Sequence, residues 1–275
     1  MGLPLEELER RLAALRFTSH NIRLASGITT LPGRPVLADS DERLPAILRL
    51  LETVFGPDLS GLRVADLACL EGGYALALAR RGADVLGVEA RRSNFAKLEL
   101  LAEHFAMPNL KFLRRDVKEF RAEEFGRFDA VLALGNLYHL DRPAAWLAQI
   151  GAAVGRVLLL DTHYAPEDDA AAARIDPRVG APGPLEERDE GGLSVRGRSV
   201  DDLPEGVDPE TLPWAAYSNT RSFWLTKESL LRTLRGAGFD LLLEQHDVWL
   251  DDFGTYQTGC PRSLFVAVRS GNPAA

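Results

Sequence analysis

Val64 to Ala90 reads "VADLACLEGGYALALARRGADVLGVEA", and the reading of this stretch decides the fold. An apolar run ending at Asp66 predicts a strand. "YALALARR" predicts a helix stopped by Gly82, and "DVLGVEA" predicts a second strand that ends in Glu89. The turn between strand and helix is "DLACLEGG". It carries two acids where a phosphate loop would offer only glycines and backbone amides.

The same alternation continues outward. "SNFAKLELLAEHF" reads as a helix opened by a Ser or Asn cap, "LKFLRRD" and "FDAVLALG" as strands, "PAAWLAQIGAAV" as a helix with Pro143 in its first turn, and "RVLLLD" as a strand. "TKESLLRTLRGAGF" is a further capped helix. "DLLLEQHDVW" and "RSLFVAVR" have no helix between them, which predicts an antiparallel pair. Short apolar strands alternating with amphipathic helices predict an α/β fold, a doubly wound, mostly parallel, seven-stranded Rossmann-like sheet with a C-terminal antiparallel hairpin. Upstream, Leu5–Arg16 and Arg43–Phe55 read as helices joined by a turn-rich arm, "TSHNIRLASGITTLPGRP". We therefore expect a helical N-terminal extension over 1–57 and one large domain over 58–275.

Composition bounds the function. The chain has 275 residues and a net charge of −8. Between Ala165 and Leu212 stand 13 acids and 5 bases, so this window alone accounts for the net charge. It marks an acidic insert over 165–220, either a solvated loop or an inserted lid or oligomer contact. Acidity argues against a nucleic-acid partner. No apolar run is long enough to span a membrane. The N-terminus is a charged amphipathic helix rather than a signal peptide. Two cysteines, Cys69 and Cys260, provide neither a disulfide framework nor a metal cluster. The expectation is a cytoplasmic protein acting on a small molecule, with no metal; a homo-oligomer is compatible with all of this.

Ligands of such sheets bind beyond the carboxyl ends of the strands. Three successive strand ends carry acids: Asp66 with Glu71, then Glu89, then Asp116. Glu89, about 20 residues past the turn, suits ribose hydroxyls. Asp116 suits an adenine amino group, and Asp66 with Glu71 suit a cationic amino-acid tail. Ribose, adenine and a positively charged tail together describe S-adenosylmethionine.

With these residues the chain resembles the class I S-adenosylmethionine-dependent methyltransferases, over Gly61 to Arg269. "VADLACLEGG" stands at the position of the family's acid- and glycine-containing first motif. The resemblance implies that Asp66, Ala68, Cys69, Glu71, Gly72 and Tyr74 hold the methionine part, Glu89 and Ala90 the ribose, and Asp116 and Val117 the adenine. Leu134, Gly135 and Tyr138, in "LGNLYHL", would line the transfer site. Ala68 and Leu70 depart from the pattern, standing where glycines are usual. Alanine can replace a glycine of negative φ, so a negative φ is expected at Ala68. Leu70 implies a rearranged loop path. "LGNLYHLDRPAAWLAQI" and "SFWLTKESLLRTLRGAGF" further resemble the branch that holds the tRNA wobble-uridine carboxymethyl-transferring enzymes and small-molecule methyltransferases. No Arg stands between Asp240 and Pro261, where the carboxy-S-adenosylmethionine users would carry one. That favours ordinary S-adenosylmethionine and methyl transfer to an O or N nucleophile of a small molecule, a specialised metabolite. The alternatives are a tRNA uridine carboxymethyl transferase and a non-catalytic nucleotide-binding module.

Candidate chemistry lies beyond the cofactor strands. Tyr138 would present its ring and hydroxyl to a sulfonium. His139, and His163 in "DTHY", are candidates for a general base. Arg221, Asn219 and Trp224 in "SNTRSFW", with His20 of the arm, are candidates for substrate contact; Arg221 could instead pair with the acidic insert. "HDVWLDDFG" reads as a solvated turn.

Overall fold

A computed structural model describes residues 2–38, 43–245 and 261–271. The hairpin turn "HDVWLDDFG" and Cys260 lie outside them. The chain forms two compact units, Met1–Val117 and Lys118–Ala275. No helix of the described residues is long and apolar enough to cross a membrane.

In the first unit, α1 (Leu5–Ala13) and the two short paired strands β1 (Arg23–Ala25) and β2 (Ile28–Thr29) precede α2 (Arg43–Phe55). The N-terminal segment is therefore not wholly helical: Thr30 and Asn21 side chains fold the arm on itself, with Ile22 N–H donating to Thr30 Oγ1 at 2.8 Å. Next come β3 (Arg63–Leu67), α3 (Gly73–Arg80), β4 (Asp84–Glu89), α4 (Arg92–Phe105) and β5 (Leu110–Arg114). β4 pairs in parallel with both β3 and β5. β3 buries Val64, Ala65, Asp66 and Leu67, both faces at once, as a covered parallel strand must. α4 starts one residue before the expected cap. Arg91 is its N-cap, without a side-chain cap bond, and Asn94 instead turns inward to Lys97.

The second unit holds α5 (Ala122–Phe125), β6 (Phe128–Leu134), α6 (Pro143–Gly151), β7 (Val154–His163), α7 (Asp169–Ala172), β8 (Pro182–Asp189), β9 (Ser194–Asp201), β10 (Arg221–Leu225), α8 (Lys227–Gly236), β11 (Leu241–Gln245) and β12 (Arg262–Val268). β6 and β7 are parallel, β12 runs antiparallel to β7, and β11 pairs antiparallel with β12. With β3, β4 and β5 these complete the seven strands of the Rossmann-like sheet. α6 begins with Pro143 and α8 is capped by Thr226, whose side chain accepts from Ser229 N–H.

The acidic insert is folded rather than a solvated loop. β8, β9 and β10 form a separate antiparallel sheet. Ala165, Ile175, Val200 and Trp224 form its buried cluster, with Tyr138 and Val179 packed against them. Its charges are structural in part. Arg198, 2 % exposed, donates to the carbonyls of Pro166, Gly183 and Glu167 and to Asp169. Glu190, also buried, accepts from Ala144 and Ala145 N–H at the start of α6, where a carboxylate meets the positive end of the helix.

Candidate functional site

The turn after β3 is built from positive φ. Ala68 has φ +59°, Leu70 +55° and Gly72 +75°. This corrects the expectation for Ala68, which occupies the left-handed region itself. Leu70 does the same, so it keeps a glycine-like backbone rather than taking a new path. Each such non-glycine residue carries roughly 1–2 kcal/mol of steric strain. The strain has a visible return: Leu70 N–H is aimed at Glu89 Oε2, 3.0 Å away. Gly72 is required for a second reason, since a Cβ there would lie 2.6 Å from Leu98 Cδ2.

Glu89 ends β4 and is fixed from both sides, its Oε1 accepting from Arg91 N–H at 2.9 Å. Burial raises its carboxyl above the ordinary range, against the pull of those amide donors and the nearby Arg91 and Asn94. Asp66, 4 % exposed, accepts from the backbone N–H of Ala75. Its Oδ2 has no hydrogen-bond partner among the described residues. Burial, and then the negative Glu89, push this carboxyl up to about 7. A buried oxygen without a partner is unstable unless something else supplies a donor.

Glu71 is different. It is fully buried; its oxygens accept from the N–H groups of Thr18, Ser19 and His20 at 2.7, 3.0 and 2.8 Å, and from Lys97 Nζ at 2.7 Å. Desolvation opposes its charge, but Lys97 and the amides outweigh it and hold the carboxyl below its ordinary value. The reading of Glu71 as a partner for a cationic ligand is corrected: it anchors the N-terminal arm onto the turn. His20 belongs to this clamp. Its Nδ1 accepts from Gly73 N–H at 3.0 Å, and its ring lies 5.1 Å from that of Tyr74. With Gly72 N–H donating to Cys69 O, the amides of Leu70, Gly72 and Gly73 are all engaged within the protein. Cys69 is buried and its thiol is pushed well up by burial and the carboxylates of Asp66 and Glu89, so it is packing and not a nucleophile. Ala90 and Asp116 are half-buried and Val117 is buried, each just past its strand.

In the second unit Leu134 ends β6 and Gly135 follows at φ +81°. Tyr138 and His139 lie in the helical turn Leu137–His139. The Tyr138 ring is 4.3 Å from His139, 4.6 Å from His163 and 5.5 Å from the Arg262 guanidinium. His139 Nδ1 lies 2.8 Å from Asp202 Oδ2. Asp202 is held further by Ser222 Oγ at 2.6 Å and Ala216 N–H at 2.8 Å. Burial works against its charge, yet His139, Ser222 and Ala216 hold the carboxyl below its ordinary value. Tyr138, His139 and Asp202 line a cavity of about 330 Å³ together with Arg178, Trp214 and Trp224.

The other candidates fall elsewhere. His163 is buried and stacked on Trp224, 5.4 Å between rings. Burial, with the Arg262 charge, depresses it to about 3. It is a neutral packing group at pH 7 and too weak a base, which corrects its candidacy. Asn219 bridges Lys118 Nζ, which it accepts at 3.0 Å, and the His139 carbonyl, to which it donates at 3.1 Å. It therefore supports the site rather than facing a substrate. Arg221 is exposed and pairs with Asp201 of the insert at 3.2 Å, the pairing expected as its alternative to substrate contact. Trp224 lines the cavity with its ring while Nε1 donates to Tyr138 O at 2.9 Å. Sequence reasoning missed Asp202 and Arg262. Arg262 stands one residue beyond the stretch Asp240–Pro261, which holds no arginine, and it clasps Asp161 at 2.8 and 2.5 Å.

A methyltransferase-domain family model matches residues 64–158, from β3 into β7. The solved N-terminal domain of EvdMO1 with SAH bound is 25 % identical, with 98 % of each chain covered and a TM-score of 0.71. Residues 64–158 carry a methyltransferase domain. The same EvdMO1 domain has also been solved in the presence of SAH and D-fucose, at 24 % identity and a TM-score of 0.71 over 98 % of each chain. Among curated relatives, the ubiquinone biosynthesis O-methyltransferase of Acinetobacter baumannii (strain AYE) is 33 % identical over 87 residues, 32 % of this chain. The chain spans 37 % of that relative's length.

Proposed function

We propose that this protein transfers a methyl group from S-adenosylmethionine to an O or N nucleophile of a small molecule, a specialised metabolite. The observation that carries the reading is Asp66. A buried carboxylate oxygen lacking a partner among the described residues, at the end of the first cofactor strand and one strand from Glu89, fits a ligand that brings its own donors. Glu89 has two further lone pairs for ribose hydroxyls, since each oxygen accepts one backbone amide. Asp116 and Val117 would flank the adenine. The bound cofactor supplies a methyl on a sulfonium, an activated donor. The protein supplies position, which for well-aligned groups is worth effective molarities of ~10⁵ M or more. On the acceptor side, His139 is the group able to take a proton, while His163 remains neutral and packed. The neighbour solved with SAH, and the O-methyltransferase name of the partial relative, support this reading.

Calorimetric titration of the pure protein with S-adenosylmethionine tests it. Binding that is lost in Asp66→Asn and weakened in Glu89→Ala is the expected result. Absence of binding, or a preference for NADH, would overturn it.

A further inference from the structure

His139 and Asp202 are 63 residues apart, yet their side chains meet at 2.8 Å. Asp202 follows β9 and belongs to the acidic insert. Nothing in this contact is left loose. Ser222 and Ala216 occupy the carboxylate from other directions, and Asn219 holds the His139 carbonyl. A neutral imidazole that donates from Nδ1 presents Nε2 as its acceptor. The ring is one wall of the cavity whose other walls include Tyr138, Trp214 and Trp224.

We infer that Asp202 is a positioning residue that holds His139 in the Nδ1–H tautomer, so that Nε2 takes the proton from a hydroxyl of an acceptor bound in this cavity. The acceptor class follows from the pair itself. An amine attacks through its own lone pair and can release its proton afterwards. A neutral hydroxyl is a weak nucleophile and gains from proton removal during attack. In the step, the oxygen–carbon bond forms as the sulfur–carbon bond of the methyl donor breaks. The hydroxyl proton moves to Nε2, and the positive charge lost at sulfur reappears on the imidazolium, beside Asp202. The reaction assigned to the pair rests on the methyltransferase reading; the tautomer does not.

Two-bond ¹H–¹⁵N spectra of the full chain with ¹⁵N-labelled histidine, above pH 8, read the tautomer directly, with His139→Gln assigning the signals. The expected result is Nδ1–H at His139, moving toward Nε2–H in Asp202→Asn and Asp202→Ala. Ser222→Ala, which leaves the carboxylate in place, should shift the balance less and covers the case in which the Asp202 variants do not fold. An Nε2–H ring in the native protein, or a tautomer indifferent to Asp202→Ala, would overturn the proposal. Turnover with matched hydroxyl and amine probes, D-fucose among the former, tests the chemistry. A fall of about 10²–10⁴-fold in kcat for hydroxyl transfer in Asp202→Asn, with KM unchanged, is expected. Transfer confined to amine probes would overturn the acceptor class. S-adenosylmethionine titration separates the two readings, since a protein that does not bind it fails as a methyltransferase whatever its histidine tautomer.

Discussion

Asp66 in the first unit and Asp202 in the second are both buried carboxylates at the edge of candidate chemistry, and they are in opposite condition. Asp66 has an oxygen with no hydrogen-bond partner among the described residues, and burial lifts its carboxyl to about 7. Asp202 has both oxygens engaged by His139, Ser222 and Ala216, and its carboxyl is held below the ordinary range. An acid left unsatisfied inside a folded chain is destabilising by itself and makes sense as a ligand contact. A saturated acid orients the protein's own groups. Glu71, five residues from Asp66, sits with Asp202 in this division, which is why neighbours on one turn have different roles.

The largest effect should come from the unsatisfied acid. Asp66→Asn removes the charge that a cationic ligand end would meet, and S-adenosylmethionine affinity should fall at least about 30–100-fold, the equivalent of one charged hydrogen bond. The ligand-free protein should move the other way. A carboxyl raised from 3.8 to about 7 in the folded state contributes stability that is complete below pH 3.8 and lost as pH rises through 7. Above pH 7 the folded chain therefore carries an unfavourable buried charge. Asp66→Asn should raise stability at pH 8 by about 1–3 kcal/mol in chemical denaturation. A variant that lost stability while retaining affinity would break the comparison, because Asp66 would then behave like Asp202.

Glu71→Gln tests the saturated class in the first unit. It leaves the Lys97 ammonium, 6 % exposed as a side chain, without its counter-charge. A loss of about 3 kcal/mol is expected, with faster amide exchange at Thr18, Ser19 and His20. Glu71 is held below its ordinary 4.5 in the fold, so its contribution is present above that pH and fades as pH falls below it. The deficit of the variant should therefore shrink in acid. Its effect on cofactor affinity should be smaller than that of Asp66→Asn.

This contrast also explains what was legible in the sequence. The strands, their parallel order and the acids at their ends follow from local patterns of apolar residues and turns, and Asp66 and Glu89 stand at strand ends as read. Whether an acid is satisfied is not local. Glu71 is neutralised by an arm about 50 residues upstream and by Lys97 on α4. His139 is oriented by Asp202 from inside an insert whose composition left loop and lid equally open. The insert hides a sheet because β8 has no fully buried position, does not alternate strictly, and is rich in charge and proline, which blurs the period-two signal. The positive φ at Ala68 is not legible because side-chain type is only a weak guide to a turn that tertiary contacts hold in place.

Leu70 sharpens the comparison at the level of backbone. If its left-handed conformation is strain maintained by the bond from its N–H to Glu89, Leu70→Gly should be more stable than Leu70→Ala by about 1 kcal/mol. Both variants lose the side chain, and only one keeps the strain. Thermal melts of the pair measure the difference, and S-adenosylmethionine affinity should stay within about threefold of the native value in the glycine variant. Equal stabilities would mean that the turn relaxes when the side chain is removed, and that the Glu89 contact does not depend on this geometry.

The smallest effect is expected at Arg221, the one charged residue proposed for substrate contact. Its guanidinium meets Asp201 at 3.2 Å, but the two side chains are 64 % and 92 % exposed. It is not among the residues lining the cavity beside His139. Exposed pairs of this kind lose in side-chain entropy and solvent screening most of what they gain in attraction. Arg221→Ala should leave the melting temperature within about 1 °C of the native protein and S-adenosylmethionine binding unchanged. The same replacement should not alter the His139 tautomer, because Asp202, and not its neighbour Asp201, holds the ring. A tautomer change in Arg221→Ala would show that the exposed pair steers the end of β9, and it would extend the saturated network around Asp202 to the surface of the insert.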